Sequence, residues 1–211
     1  MLTKNHEHDG CRVPYFEGYN KISLWNEKID NGKGHGGITV LIKETWSRFI
    51  NLEKEDVNKQ YMWIKITENH ISTRVVVCYF APKGSKMYKK HRLDREDPFA
   101  ALKKDIAAFS SLGEIMIIGD FNARTTNNQT LNLKESYNES RDLVWLEEEG
   151  TQKWERSSQD SMGKINHFGA ELLGLCCLYN MVICNGMEKW PKSGGITCKR
   201  HNGQSVVDYV I

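Results

Sequence analysis

No apolar run in the chain approaches the roughly 18 residues that a membrane-crossing helix needs, so no membrane partner is expected. Residues 1–10 are polar, without the apolar stretch of a secretory leader. A nuclear or cytoplasmic, non-secreted protein is the expectation. Charge of one sign is lacking too: 29 Lys and Arg stand against 27 Asp and Glu, a formal net charge of +2. Any nucleic-acid surface must therefore be a local patch. The six cysteines, Cys11, Cys78, Cys176, Cys177, Cys184 and Cys198, form no Cys-x-x-Cys pair. Cys78, Cys176, Cys177 and Cys184 lie in apolar runs and read as reduced core residues, so neither zinc nor a disulfide framework is expected. There is no internal repeat and no low-complexity tract. The glycine-rich stretch Asp30–Gly37 lacks the Gly-x-x-x-x-Gly-Lys-Ser/Thr pattern and precedes a strand, so it reads as a hairpin connection.

What is present suits one domain over residues 1–211, with 39% hydrophobic residues to supply its core. Met1–Pro14 has no period and reads as loop. Gly18–Trp25, Ile38–Ile42, Tyr61–Thr67 and Thr73–Phe80 read as successive strands without helices between them, which argues an antiparallel meander and an α+β class. Asp97–Leu112 is a helix: Asp97 caps it, Pro98 opens it, and Phe99, Leu102, Ile106 and Phe109 make its buried face. A shorter acidic helix is expected over Ser140–Gly150. Another is expected over Lys164–Asn180, with Ile165, Phe168, Leu172, Leu175, Cys176 and Tyr179 on one face and His167 in solvent. Met181–Cys184 reads as a short strand. Gly195–Arg200 and Ser205–Ile211 read as a hairpin turning at Asn202-Gly203.

Three stretches carry chemistry. Ile115–Ile118 reads as a strand buried on both faces that ends in Gly119-Asp120-Phe121-Asn122. A turn explains Gly, Asp and Asn equally well. Yet a strand that delivers Asp120 and Asn122 to a sheet's C-terminal edge sets hard oxygen donors where ligands bind, and such donors suit Mg²⁺. Lys83–Arg92 holds Lys83, Lys86, Lys89, Lys90, His91 and Arg92 with Tyr88 among them. It reads either as a solvated loop or as a phosphate grip with one stacking ring. In the last strand Asp208 shares an apolar row with Val206 and Val210. Such a carboxylate lies in water at an edge or meets a cation or donors.

Taken together, Tyr79-Phe-Ala-Pro82, Ile115-Met-Ile-Ile-Gly-Asp-Phe-Asn-Ala123, Asn166-x-x-Gly169-x-x-Leu172-Leu173-x-Leu175-Cys176, Thr197 and Ser205-Val-Val-Asp208-Tyr209 resemble the endonuclease/exonuclease/phosphatase superfamily. Within it they are most similar to the endonuclease domain of non-LTR (LINE-type) retrotransposons, which Gly36-Gly37-Ile38 also fits. The resemblance implies a four-layer α/β sandwich, two mainly antiparallel sheets flanked by helices. It implies a Mg²⁺- or Mn²⁺-dependent phosphodiesterase acting on DNA, and in the full-length element a reverse transcriptase domain as companion. By motif, Asp120 aligns the attacking water and, with Asn122, binds the metal. Asn122 also holds the scissile phosphate, and Asp208 orients the general base. Phe80, Lys83, Lys86 and Ser205 are the further substrate-side residues.

Some family features have no counterpart here. The family's opening Asn-bearing strand, its metal-binding Glu and its closing Asp-His strand find no match, and Phe80 takes the place of a Tyr. On that reading the chain is a domain incomplete at both ends, weakly active or inactive, because each acid–base group is worth roughly 10²–10⁴-fold. A partial domain that only binds nucleic acid is the alternative, and a phosphatase of the same superfamily ranks below both.

Overall fold

The computed structural model describes residues 2–4, 14–25, 36–90, 97–128, 156–160, 163–187, 194–200 and 203–211. The expected helix over Ser140–Gly150, most of the Asp30–Gly37 loop and the residues His91, Arg92 and Asn202 lie outside them. The chain divides into two compact units, one of residues 1–122 with 207–211 and one of residues 123–206.

The first unit holds two sheets. Strands β1 (Leu2–Lys4), β2 (Tyr19–Leu24) and β3 (Ile38–Lys43) make an antiparallel sheet in the order β1-β3-β2. β1 falls where the sequence read as loop. A 3₁₀ segment, Glu44–Phe49, leads into β4 (Ile50–Glu55), then β5 (Tyr61–Glu68), β6 (Ile71–Tyr79), β7 (Glu114–Asp120) and β10 (Asp208–Val210). These five form a second sheet in the order β10-β7-β6-β5-β4. The expected single meander is thus two sheets, because the 3₁₀ segment carries the chain from one to the other. β3 contacts β6, so the architecture is an α+β sandwich of two sheets with helices.

β6 and β7 are parallel, joined through helix α2 (Pro98–Phe109), whereas the other pairs are antiparallel. The Asp97 side chain accepts the Phe99 N–H at 3.0 Å and Pro98 occupies the first turn, as the sequence indicates. Phe99, Leu102 and Ile106 are fully buried and Phe109 is half-buried. Asp105 ties the helix to the sheet: its carboxylate meets Lys54 Nζ at 2.5 Å, Tyr61 OH at 3.1 Å and Trp63 Nε1 at 3.2 Å. Arg74 donates to both carboxylate oxygens of Glu53 at 2.9 Å and to the Leu112 carbonyl at 2.8 Å, fixing the helix exit.

β7 is not buried on both faces. Ile117 is fully buried on the α2 side, but Met116 on the other side is 40% exposed and Ile118 half-buried. Among the described residues the sheet continues past β7 only into the three-residue β10.

In the second unit Asn166 caps helix α3 (His167–Leu178), with Phe168, Leu172, Leu173, Leu175 and Cys176 buried. Ile165 precedes the helix and Cys177 faces outward; both are exposed, contrary to the core roles expected of them. Burial pushes the Cys176 thiol up to about 12, which keeps it protonated and inert. Asn166 Oδ1 accepts from Gly169 N at 2.7 Å and from Arg124 N at 2.9 Å. A Cβ on Gly169 would come within 1.9 Å of the Arg124 carbonyl, so Asn166-x-x-Gly169 is a packing motif. Met181–Cys184 forms no strand. The expected final hairpin is divided: β8 (Cys198–Arg200) pairs with β9 (Gly203–Ser205), and residues 208–210 leave to join β7.

Candidate active site

Gly119 opens the site. Its φ is +141° and a Cβ there would lie 2.0 Å from the Cys78 carbonyl, so only glycine lets β7 run this close to β6. The next residue, Asp120, ends the strand. Its Oδ1 accepts the Asn122 N–H at 2.9 Å. This is a turn closed by an aspartate side chain, and the turn expectation and the ligand expectation apply to the same atoms. Asn122 adopts φ +48°, a left-handed conformation that Asn tolerates better than most residues. Its Nδ2 donates to the Phe80 carbonyl at 2.8 Å.

β10 supplies the second carboxylate. Asp208 is the register partner of Asp120, with Tyr209 opposite Gly119 and Val210 opposite Ile118. Ile117 and Ile211 exchange two backbone hydrogen bonds of 2.8 Å, and Phe121 N–H reaches the Val207 carbonyl at 3.0 Å. By the alternation of an antiparallel ladder, Asp120 and Asp208 therefore form a narrow, non-hydrogen-bonded pair. Their Cβ atoms are then about 4.5–5.5 Å apart on one face. Both residues are half-buried. Like charges directly opposite each other destabilise a sheet, so this pair has a physical use for a cation or for donors.

The ring of Phe121 anchors the turn from the opposite face. It lies 5.4 Å from Phe80, 6.4 Å from Phe99 and 6.4 Å from Tyr209. Phe80, expected on the substrate side, is instead fully buried in this cluster. Its main chain does the local work: the N–H donates to the Asp120 carbonyl at 2.8 Å and the carbonyl receives Asn122. The alternation that buries Phe80 turns Tyr79 to the other face, in register with Asp120. Strand phase, which the motif does not carry, decides which of the two rings shares a face with Asp120.

Lys83 and Lys86 follow the C-terminal end of β6, which runs parallel to β7, so they lie at the edge where Asp120 ends its strand. Both are exposed, as is Lys89. Lys86 opens the short helix α1 (Lys86–Lys90) where a loop was expected. Tyr88 is buried, with its N–H on Ser85 Oγ at 3.1 Å, and is not a stacking ring. Ser205 lies in the second unit, buried in β9 opposite Cys198.

Two carboxylates and a carboxamide are hard oxygen donors of the kind Mg²⁺ and Mn²⁺ prefer. Asp120, Asp208 and Asn122 fit such an ion in chemistry. Among the described residues no group of three or more His, Cys, Asp or Glu side chains is disposed to hold a metal, so these residues would provide only part of a coordination shell.

The chain is structurally similar to an endonuclease domain. The solved structure is described as the endonuclease domain of TRAS1, a telomere-specific non-LTR retrotransposon; the identity is 13% and the TM-score 0.47. The match covers 92% of this chain and 65% of that one, so the chain spans about two thirds of its length. At that level the likeness carries no argument about chemistry. No family model matches the chain, and no curated protein does. Among the described residues no helix is long and apolar enough to cross a membrane.

Proposed function

We propose that the chain is a divalent-metal-dependent phosphodiesterase domain of the retrotransposon endonuclease type, with DNA as its substrate. The observation that supports this reading most is the register of Asp120 against Asp208 at the end of β7. Asp120 and Asn122 would hold Mg²⁺ or Mn²⁺, with Asp208 beside them. When bound, the cation would offset the negative charge that gathers on phosphate oxygens in the transition state. Asp120 would align the attacking water. Asn122 presents a carboxamide, which adds no negative charge next to a phosphate. Lys83 and Lys86 would grip flanking phosphates. No residue of this chain is assigned the family's metal-binding Glu or general-base His, so turnover is expected to be slow.

A second reading, nucleic-acid binding without cleavage, is favoured by the exposed Lys83, Lys86 and Lys89 at the same strand-end edge. Supercoiled plasmid and p-nitrophenyl phosphate, each assayed with Mg²⁺ and with EDTA, separate the possibilities. Metal-dependent nicking without phosphomonoester hydrolysis is the expected outcome. Salt-sensitive DNA binding with no nicking would leave the second reading, and phosphomonoester hydrolysis would favour a phosphatase.

A further inference from the structure

We propose that Gln60 is a positioning residue: its side-chain amide fixes the Phe80–Ala81 peptide, and that peptide orients the Asn122 carboxamide which the proposed function gives to the cation. The inference rests on that reading of Asn122 and adds a residue behind it. One peptide plane joins the two carboxamides. The Phe80 carbonyl accepts Asn122 Nδ2 at 2.8 Å. The N–H of the same peptide, on Ala81, donates to Gln60 Oε1 at 3.0 Å. In a trans peptide these two groups point in opposite directions, so Gln60 and Asn122 hold one plane from its two sides. Rotating that plane would break both bonds. The Phe80 ring is set in its aromatic cluster, yet ring packing does not fix the peptide that follows it. Pro82 has no N–H, so Ala81 carries the last backbone donor of the strand's exit before Lys83. With Nδ2 donated to Phe80, the rotation of the Asn122 carboxamide is fixed, and Oδ1 is the oxygen that the cation reading uses.

Gln60 is itself fixed. It is fully buried, and its other polar groups are engaged as well. Its N–H donates to Asp56 Oδ2 at 3.0 Å and its Nε2 to the Asn58 carbonyl at 3.1 Å. Its carbonyl accepts the Tyr79 N–H at 2.7 Å. The turn between β4 and β5 that presents it is closed by the Lys59 N–H on the Asp56 carbonyl at 3.0 Å, with Lys59 at φ +55°. A lysine in that left-handed conformation is uncommon, and such backbone persists where its surroundings over-determine it. A buried amide with all its groups paired holds its neighbours in one arrangement. An apolar side chain in its place would take the acceptor away from the Ala81 N–H, and the peptide would turn to find another.

Binding of Mn²⁺ alone to the full chain, followed by electron paramagnetic resonance below the melting transition of every variant, tests the inference. Gln60→Met keeps the length of the side chain and removes the amide. It is expected to bind Mn²⁺ about fivefold more weakly than the wild type, the scale of one neutral hydrogen bond, and to shift the side-chain amide resonances of Asn122 in heteronuclear NMR spectra. Gln60→Asn, still an amide but one methylene too short for Ala81, is expected to show the same loss and serves where Gln60→Met does not fold. Asp105→Ala, which loosens the docking of α2 instead, is expected to bind Mn²⁺ as the wild type does. An equal loss in Asp105→Ala would make Gln60 a merely structural residue. If Gln60→Met leaves the affinity or those resonances unchanged while Asn122→Ala binds Mn²⁺ poorly, Gln60 has no positioning role and the cation site stands. If the wild type binds no Mn²⁺, or if Asp120→Asn and Asn122→Ala bind it as the wild type does, the cation site falls and this inference with it.

Discussion

Gly119 shows how a single residue decides the site. Its positive φ and the 2.0 Å approach of any Cβ to the Cys78 carbonyl leave no room for a side chain. Gly119→Ala is expected to cost roughly 3 kcal/mol or more, as an overpacked and strained backbone does. A urea midpoint within error of the wild type would show that β7 can move away from β6. Asp56 makes the opposite kind of case. Burial raises its carboxyl above the ordinary 3.8, although backbone N–H groups including that of Gln60 bond to it. A raised folded-state value means that its contribution to stability is complete below pH 3.8 and is lost as pH rises through the folded value. Asp56→Asn, which keeps an acceptor oxygen, should therefore match the wild type in acid and exceed it in melting temperature at pH 7. A neutral-pH loss in the variant would mean that the charged hydrogen bonds outweigh burial.

Among elements, α2 was the most legible, because its cap, its opening proline and its apolar spacing are all local signals. Its docking was not, because Asp105 is an acidic residue on a helix that reads as surface from sequence alone. In the fold it receives Lys54, Tyr61 and Trp63. Asp105→Ala would strand two buried aromatic donors and is expected to cost about 3 kcal/mol. Chemical denaturation measures this directly, and a loss under ~1 kcal/mol would show that the network is dispensable. β4 escaped notice because Asn51, Glu53, Lys54 and Glu55 are polar and exposed, and Leu52 among them is exposed too, as an edge strand can be. The last strand misled for another reason. Ser205–Ile211 read as one strand of a hairpin with Gly195–Arg200, but the chain changes partner after Ser205, and only long-range pairing reveals that change.

For the whole molecule, Gly-Asp-Phe-Asn and the later Asp-Tyr could be read as parts of one site because the motif types were informative. What the sequence could not fix was strand phase. Phase puts Phe80 in the aromatic cluster and Tyr79 beside Asp120, and it makes Asp120 and Asp208 direct neighbours. The central claim is that these two carboxylates serve one cation and one phosphate. The nicking rate of supercoiled plasmid in Mg²⁺, compared for the wild type, Asp120→Ala and Asp208→Ala at equal folded fraction, tests it most directly. Slow, EDTA-sensitive nicking that falls by roughly 10²-fold or more in each variant is the result the account predicts. Nicking that persists unchanged in both variants would contradict it.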